Sequence, residues 1–559
     1  MSAPPSEPRA GSTVEPAGHP VRWVLVLVLA VALAAGGYFA WRWSTDQAPA
    51  ARAAAQRAAD ALRQRTVADG AFGATVGPAQ VEDLTATLRG MGTLRPAIEV
   101  ESVQFADDQR SGTARLRAEW VIHDGKPSWI QDAYLRLVRG PEGWTAVWSR
   151  DLIASGLQAA DRLRAVRLAP ERGEIIGADE ERLVWNADAK RIGLDKTLIA
   201  ADRHPRAAEA LAKAVGIDSE AFVDKVAAYG PRAFVEAAVI RAVGGREWRT
   251  LVAARRVDGV RVLDAVRPLA VSGSFARGVL GTVGEATADV IRTSGDAIRE
   301  GDLVGLGGLQ KAHNVRLMGV TGFVVQAYPD GHSEQARDLF TVPAVPGESV
   351  RITLDVRLQR RAEALLANSP GRAAAVLIRP SDGTVLVIAS DSGSTTATTR
   401  RVFPDAFTPV IGLTTTRAGE MDEALRSLGL DGDAELGLPV FLASAEGGAL
   451  RMSPFAMAAA TASIARGRTV RPRLLVDREP AEEPSGITSE QSETVRRQLR
   501  EQAVTGTLRP LSLPGARVLA DGDGRRWTIA IHGDLAAAVY HADGGSVGLM
   551  SALLRATRV

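Results

Sequence analysis

The chain has no cysteine in its 559 residues. That excludes disulfides, thiolate metal sites, a cysteine nucleophile and a lipid anchor built on cysteine. Lysine is nearly absent too. Only Lys126, Lys190, Lys196, Lys213, Lys225 and Lys311 occur, so everything beyond Lys311 is free of lysine. The other basic residues are arginines. The net charge of +2 gives no reason to propose nucleic acid as a partner. No cluster of histidine and carboxylate at helical or loop spacing suggests a metal, and no motif implies a cofactor.

What is present is a chain too long for one domain, with 46% hydrophobic and 24% charged residues, enough to fill several cores. Residues 1–20 are polar and rich in proline, glycine and serine, and read as a disordered tail. Trp23 to Trp41 then form an uncharged apolar run. At about 1.5 Å per helical residue this run spans roughly 28 Å, close to a bilayer's hydrocarbon thickness. Trp23, Tyr38, Trp41 and Trp43 stand at its ends, as interface-seeking aromatics do. A cleaved signal peptide has a shorter apolar core and a small-residue cleavage site. The bulky Tyr38-Phe39-Ala40-Trp41 ending argues instead for an uncleaved anchor over 21–43. Arg9 and Arg22 precede the run, and Arg42, Arg52 and Arg57 follow it, so charge bias leaves the orientation open.

After the anchor, 48–65 and 78–91 read as helices. Ile98 to Val100, 114–122, Tyr134 to Val138 and Gly143 to Trp148 read as strands. The clearest is 114–122, with Ala114, Leu116, Ala118, Trp120 and Ile122 on one face. This predicts a compact α+β domain at 48–155. Residues 156–345 are mixed, with helices predicted at 205–215, 218–229 and 231–241. Gly278, Gly281 and Gly284 have a spacing that invites a phosphate-loop reading. No lysine and no paired serine or threonine follows them, so turn-forming glycine is the better account. Residues 346–559 read as a separate α/β domain. Ala373 to Arg379 and Thr384 to Ala389 are strands joined by the Pro380-Ser381-Asp382-Gly383 turn. A helix is expected at 454–466, a second strand pair at Trp527 to His532 and Ala536 to Tyr540, and a last helix at 547–556. Two strand pairs around a helical middle predict one sheet closed by both ends of the domain.

Several stretches resemble the class B penicillin-binding proteins. Trp144 to Ile153 looks like the end of the nuclear-transport-factor-like N-terminal domain of the methicillin-resistance type. Glu171-Arg172-Gly173-Glu174-Ile175-Ile176 resembles the opening of the dimerisation, or pedestal, domain. Leu280 to Glu285, Gly305 to Gln310 and Leu317 to Gly322 follow in the family's order. Thr353 to Gln359 resembles the start of the transpeptidase domain, and Ser453 to Thr469 its late helix. The resemblance implies a 1–20 cytoplasmic tail, a 21–43 membrane anchor, an N-terminal domain at 48–155, a pedestal at 156–345 and a penicillin-binding, β-lactamase-like transpeptidase fold at 346–559. It also implies that the bulk of this single-pass protein lies outside the cell membrane. The expected partners are cell-wall synthesis proteins in the membrane, or peptidoglycan stem peptides.

The family's chemistry needs a serine in S-x-x-K, an S-x-N motif and a K-T-G strand. A serine hydroxyl is a weak nucleophile until a nearby base takes its proton, and the motif lysine supplies that base. Here the matching stretch runs from Phe403 to Ile411, with Ala406 at the serine position and Pro409 at the lysine position. Thr408 is its only hydroxyl. The S-x-N region looks deleted, because Leu425 to Leu430 already resumes the family pattern. The third motif falls near Arg517 to Gly524, where Asp521 and Asp523 would repel a substrate carboxylate. The lack of lysine after Lys311 makes this loss independent of alignment. His532 and His541 with Ser444 and Ser453 offer material for a new triad, which needs a three-way geometry. The leading expectation is a non-catalytic homologue that scaffolds or regulates peptidoglycan synthesis. The alternatives are an active D,D-transpeptidase with diverged motifs and a non-covalent muropeptide-binding module.

Overall fold

The computed structural model describes residues 48–66, 70–73, 76–122, 127–242, 245–368, 372–391, 395–400, 425–430, 436, 438, 440–446, 449–477, 486–503, 508, 518–522 and 525–557. The expected tail and anchor lie outside the described residues. Among the described residues no helix is long and apolar enough to cross a membrane. The chain divides into two compact units. One comprises Met1–Leu168 and Phe323–Pro343, the other Ala169–Gly322 and Ala344–Val559.

In the first unit, alternation of apolar and polar residues produces a four-stranded antiparallel sheet. Its strands Pro96–Phe105, Ser111–Trp120, Trp129–Gly140 and Gly143–Ala146 lie in chain order. The register sets Leu116 between Val100 and Ala133. Those residues, with Ile98, Ala114, Ala118, Trp120, Leu135 and Leu137, are buried on one face. The helix Ala48–Gln64 lays a stripe of alanines against them, and the small side chains let helix and sheet approach closely. Arg63 donates to the Ile98 carbonyl at 2.7 Å and Arg52 to that of Val100 at 3.2 Å.

A three-stranded sheet joins Asp161–Leu168 to Gly322–Pro329 and Arg337–Val342 in this unit. The 156–345 stretch therefore contributes to both units, through strand pairing between residues more than 150 positions apart. Asp161, only 1% exposed, fastens this sheet. Its carboxylate accepts the Gln158 N–H at 2.8 Å and Arg337 Nη2 at 2.5 Å. Arg150 donates to the Asp161 carbonyl at 2.7 Å and pairs with Asp83.

In the second unit the long strand Arg182–Asp195 is central. Val260–Ala270 pairs along one flank, while Ile175–Ile176 and Phe234–Arg241 lie end to end on the other. Helices His204–Val215, Ser219–Ala228 and Gly245–Ala254 pack with this sheet around Ile192, Leu194, Leu211, Phe222 and Leu251. Lys196 caps the second of these helices, donating to the carbonyls of Val226 at 2.9 Å and Tyr229 at 2.7 Å. The helix expected at 231–241 is instead the strand Phe234–Arg241. Gly230 and Pro231 end the preceding helix, and the β-branched Val235, Val239 and Ile240 suit the ladder with 189–195.

The C-terminal part builds a five-stranded antiparallel sheet. Its order is Val385–Ser390, Ala373–Ile378, Ala536–His541, Trp527–His532, Val518–Gly522. Ala373–Ile378 pairs with Ala536–His541, so the two ends of the domain close one sheet, as the pattern predicts. Ala374, Val376 and Ile378 share a core with the helix Pro454–Arg466. Ala373, Ala375 and Leu377 face the other way, into a core with Ala362, Leu366, Met550 and Leu554 of the helices Val356–Ala367 and Ser546–Ala556. Both faces are covered, which is why these strands read as continuous apolar runs.

Asp161 yields a signed prediction. Burial raises its carboxyl, but the hydrogen bonds from Arg337 and Gln158 and the charges of Arg337 and Arg150 outweigh that and hold it below the usual carboxylate range. A depressed value stabilises the fold above that range, and the contribution is lost as pH falls through the folded value. Asp161→Ala should destabilise the three-stranded sheet by about 1–3 kcal/mol at neutral pH. The deficit should shrink in acid. Hydrogen exchange of the 161–168 and 337–342 amides measures both, and an unchanged exchange pattern at neutral pH contradicts the assignment.

Candidate functional site

The expected catalytic positions Ala406 and Pro409, and Thr408 between them, lie outside the described residues. The framework around them is described in part. Leu425, Leu428 and Leu430 enter the core beneath the helix Pro454–Arg466. The strand Val518–Gly522, where the third motif is expected, stands at the sheet edge and pairs with Trp527–His532, placing Asp521 opposite Ile529. Arg517 and Asp523 lie outside the described residues.

His532 and His541, the histidines considered for a new triad, do not share one site, and Ser453 is committed to a structural role. Trp527 pairs with Tyr540 and Ile531 with Ala536, so His532 and His541 sit at opposite ends of their hairpin. At about 3.4 Å per residue they are well over 10 Å apart. Ser453 is fully buried and caps a helix, its Oγ accepting the Ala456 N–H at 3.1 Å. Asp534, near His532, is held by Ser381, whose Oγ donates to it at 2.5 Å and whose N–H donates at 3.0 Å. That contact ties two hairpin turns together.

Two better-defined constellations lie in the same unit. The first gathers the stretches that carry the family resemblance. The Gly173 N–H donates to the Leu317 carbonyl, and the Gly347 N–H to that of Glu171, each at 2.8 Å. The Leu306 N–H donates to the Thr282 carbonyl at 2.8 Å. The segments approach so closely that side chains are excluded. A Cβ on Gly281, which has φ +78°, would lie 1.8 Å from the Gly307 oxygen, and one on Gly347 would lie 1.9 Å from that of Leu317. Backbone approach is therefore what Gly281 of the 278–284 run serves.

Arg172 is enclosed in this joint at 6% exposure. Its Nε donates to Gln310 Oε1 at 2.8 Å and its Nη2 to the Gln310 carbonyl at 3.1 Å. Asn186 Nδ2 donates to the Arg172 carbonyl at 2.9 Å. Burial lowers the guanidinium to about 10, so it remains a cation at neutral pH.

The second constellation couples the loop 272–280 to the C-terminal sheet. Ala276 has φ +43°, uncommon for a residue with a Cβ. Its N–H donates to Glu363 Oε1 at 2.6 Å. Gln359 Nε2 donates to the same oxygen at 2.8 Å. The fully buried Gln359 also joins the strand Val385–Ser390, donating to the Ile388 carbonyl and accepting its N–H, both at 3.0 Å. An open groove of about 430 Å³ beside this pair is lined by Ser272, Ser274, Phe275, Arg360, Glu363 and Ala367. Gln359 belongs to no catalytic motif beyond closing the Thr353 to Gln359 stretch, and Glu363 lies outside every stretch of resemblance. The signal is helical phase: Gln359, Ala362, Glu363 and Leu366 recur at the spacing of one helix face.

Residues 167–352 match the family model described as the Penicillin-binding Protein dimerisation domain. Two curated relatives, the peptidoglycan D,D-transpeptidases MrdA of two Salmonella typhimurium strains, are each 38% identical over 88 residues. That alignment covers 16% of this chain and 14% of each relative's length. The matched family segment contains Arg172, Gln310 and the glycine joint.

Burial raises the Glu363 carboxyl, against the opposing hydrogen bonds from Gln359 and Ala276 and the charge of Arg360. A raised carboxyl favours the folded state at low pH, and that contribution is lost as pH rises through the folded value. Glu363→Ala should free the Ala276 amide, at a cost of about 1–3 kcal/mol in local stability. Glu363→Gln keeps an acceptor without the charge and should be at least as stable as the parent at pH 8. Hydrogen exchange at Ala276 reads both variants. Equal protection in the parent and Glu363→Ala would contradict the coupling.

Proposed function

We infer that this class B penicillin-binding protein works in peptidoglycan synthesis without acylation chemistry of its own, as a scaffold or regulator of other cell-wall enzymes. The observation that carries the reading is the absence of lysine beyond Lys311. The family's serine needs a lysine base, and its third strand needs a cation for the substrate carboxylate. No register of residues 346–559 supplies either lysine. The retained core around Ala373–Ile378 and Pro454–Arg466 supports a C-terminal domain kept for its shape. Under this reading 48–155 acts as a nuclear-transport-factor-like support, 156–345 as the pedestal that meets membrane-embedded partners, and 346–559 as a second binding surface.

The test is a fluorescent penicillin added to membranes containing the full chain. No covalent band should form under conditions that label an active transpeptidase. A band that vanishes on substitution of a single serine would overturn the reading and make the protein an active D,D-transpeptidase.

Anchoring by 21–43, with the bulk of the chain outside the cell, belongs to the same proposal. It rests on the uncharged Trp23 to Trp41 run and its aromatic ends. The full chain should stay in the membrane pellet through an alkaline carbonate wash, and release into the supernatant counts against an anchor.

A further inference from the structure

The charge on Arg172 has no protein counter-charge among the described residues. Glu174 pairs with Arg182, and Glu348 with Arg316. The partners of Arg172 are the neutral amide oxygen and the carbonyl of Gln310. Two donors in the joint have no acceptor, Arg172 Nη1 and Gln310 Nε2. They belong to side chains locked against each other, 6% and 1% exposed. Buried donors are nearly always satisfied, and a buried cation without a compensating charge is strongly disfavoured.

A water molecule would supply an acceptor but no charge. A small anion supplies both, and guanidinium and amide N–H groups are donors it accepts. The surrounding backbone limits the size of the guest. A Cβ on Gly173 would lie 2.3 Å from the Glu348 oxygen, and one on Gly305 would lie 1.8 Å from that of Gln310. A phosphate ester or a nucleotide does not fit such a shell. We infer that Arg172 and Gln310 form a buried site for a monatomic anion, chloride under ordinary conditions, that neutralises the centre of the dimerisation domain. The inference is independent of whether the C-terminal domain is catalytic.

Bromide tests it directly. Crystals of the full chain grown in sodium bromide should show an anomalous peak within hydrogen-bond distance of Arg172 Nη1 and Gln310 Nε2. Gln310→Glu provides a resident carboxylate for Arg172 and should abolish the peak. In solution, replacing chloride by gluconate at constant ionic strength should lower the thermal midpoint of the parent chain by a few degrees and leave Gln310→Glu unmoved. A peak without anomalous signal would assign the site to water and overturn the proposal. An equal response of both chains to the anion change would do the same, since it would mark a general salt effect.

Discussion

The pairing of Ala373–Ile378 with Ala536–His541 is the constraint on which the C-terminal domain depends. It joins residues more than 150 positions apart and places Ala373–Ile378 between two hydrogen-bonded neighbours. The two cores of the domain form on opposite faces of the strands so aligned. A one-residue slip would exchange the faces and misplace both cores. The strands of this sheet come from 373–390 and 518–541, and the expected third motif falls on its edge strand Val518–Gly522. A strand ladder is made by backbone groups, so the side chains at Asp521 and its neighbours can change while the edge pairing with Trp527–His532 stays.

The dimerisation domain depends on a different economy of space. Its segments meet backbone to backbone at Gly173, Gly281, Gly305 and Gly347, where no side chain fits. The reward is a closed shell around Arg172, whose donors bind across the joint to Gln310. The loop 272–280 then reaches the helix Val356–Ala367 through Ala276 and Glu363, and Gln359 passes that contact on to the strand Val385–Ser390. A displacement of the loop has a continuous path of hydrogen bonds to the C-terminal sheet.

Much of this was legible from residues alone. The hairpin turn at Pro380 to Gly383, the alternation in 114–122 and the alanine-rich helix at 454–466 carry strong local signals, and each element forms where expected. What stayed hidden was non-local. Phe234–Arg241 has residues that suit either a helix or a strand, and only its ladder with Arg182–Asp195 decides. Asp161–Leu168 and Gly322–Pro329 share a sheet that no local pattern announces. The close approach at Gly281 is invisible until the Gly307 carbonyl is placed beside it. Arg172 was conspicuous as part of a motif, but its lack of a carboxylate partner among the described residues is a fact of three dimensions.

The proposal of a homologue without acyl-transfer chemistry rests on the missing lysines beyond Lys311, and turnover itself is what can refute it. The most direct measurement is thiol release from a D-alanyl thioester analogue of the stem peptide, with the full chain in detergent. Release is expected at the uncatalysed rate at every protein concentration. Release that rises in proportion to protein, and is lost when one serine is replaced by alanine, would contradict it.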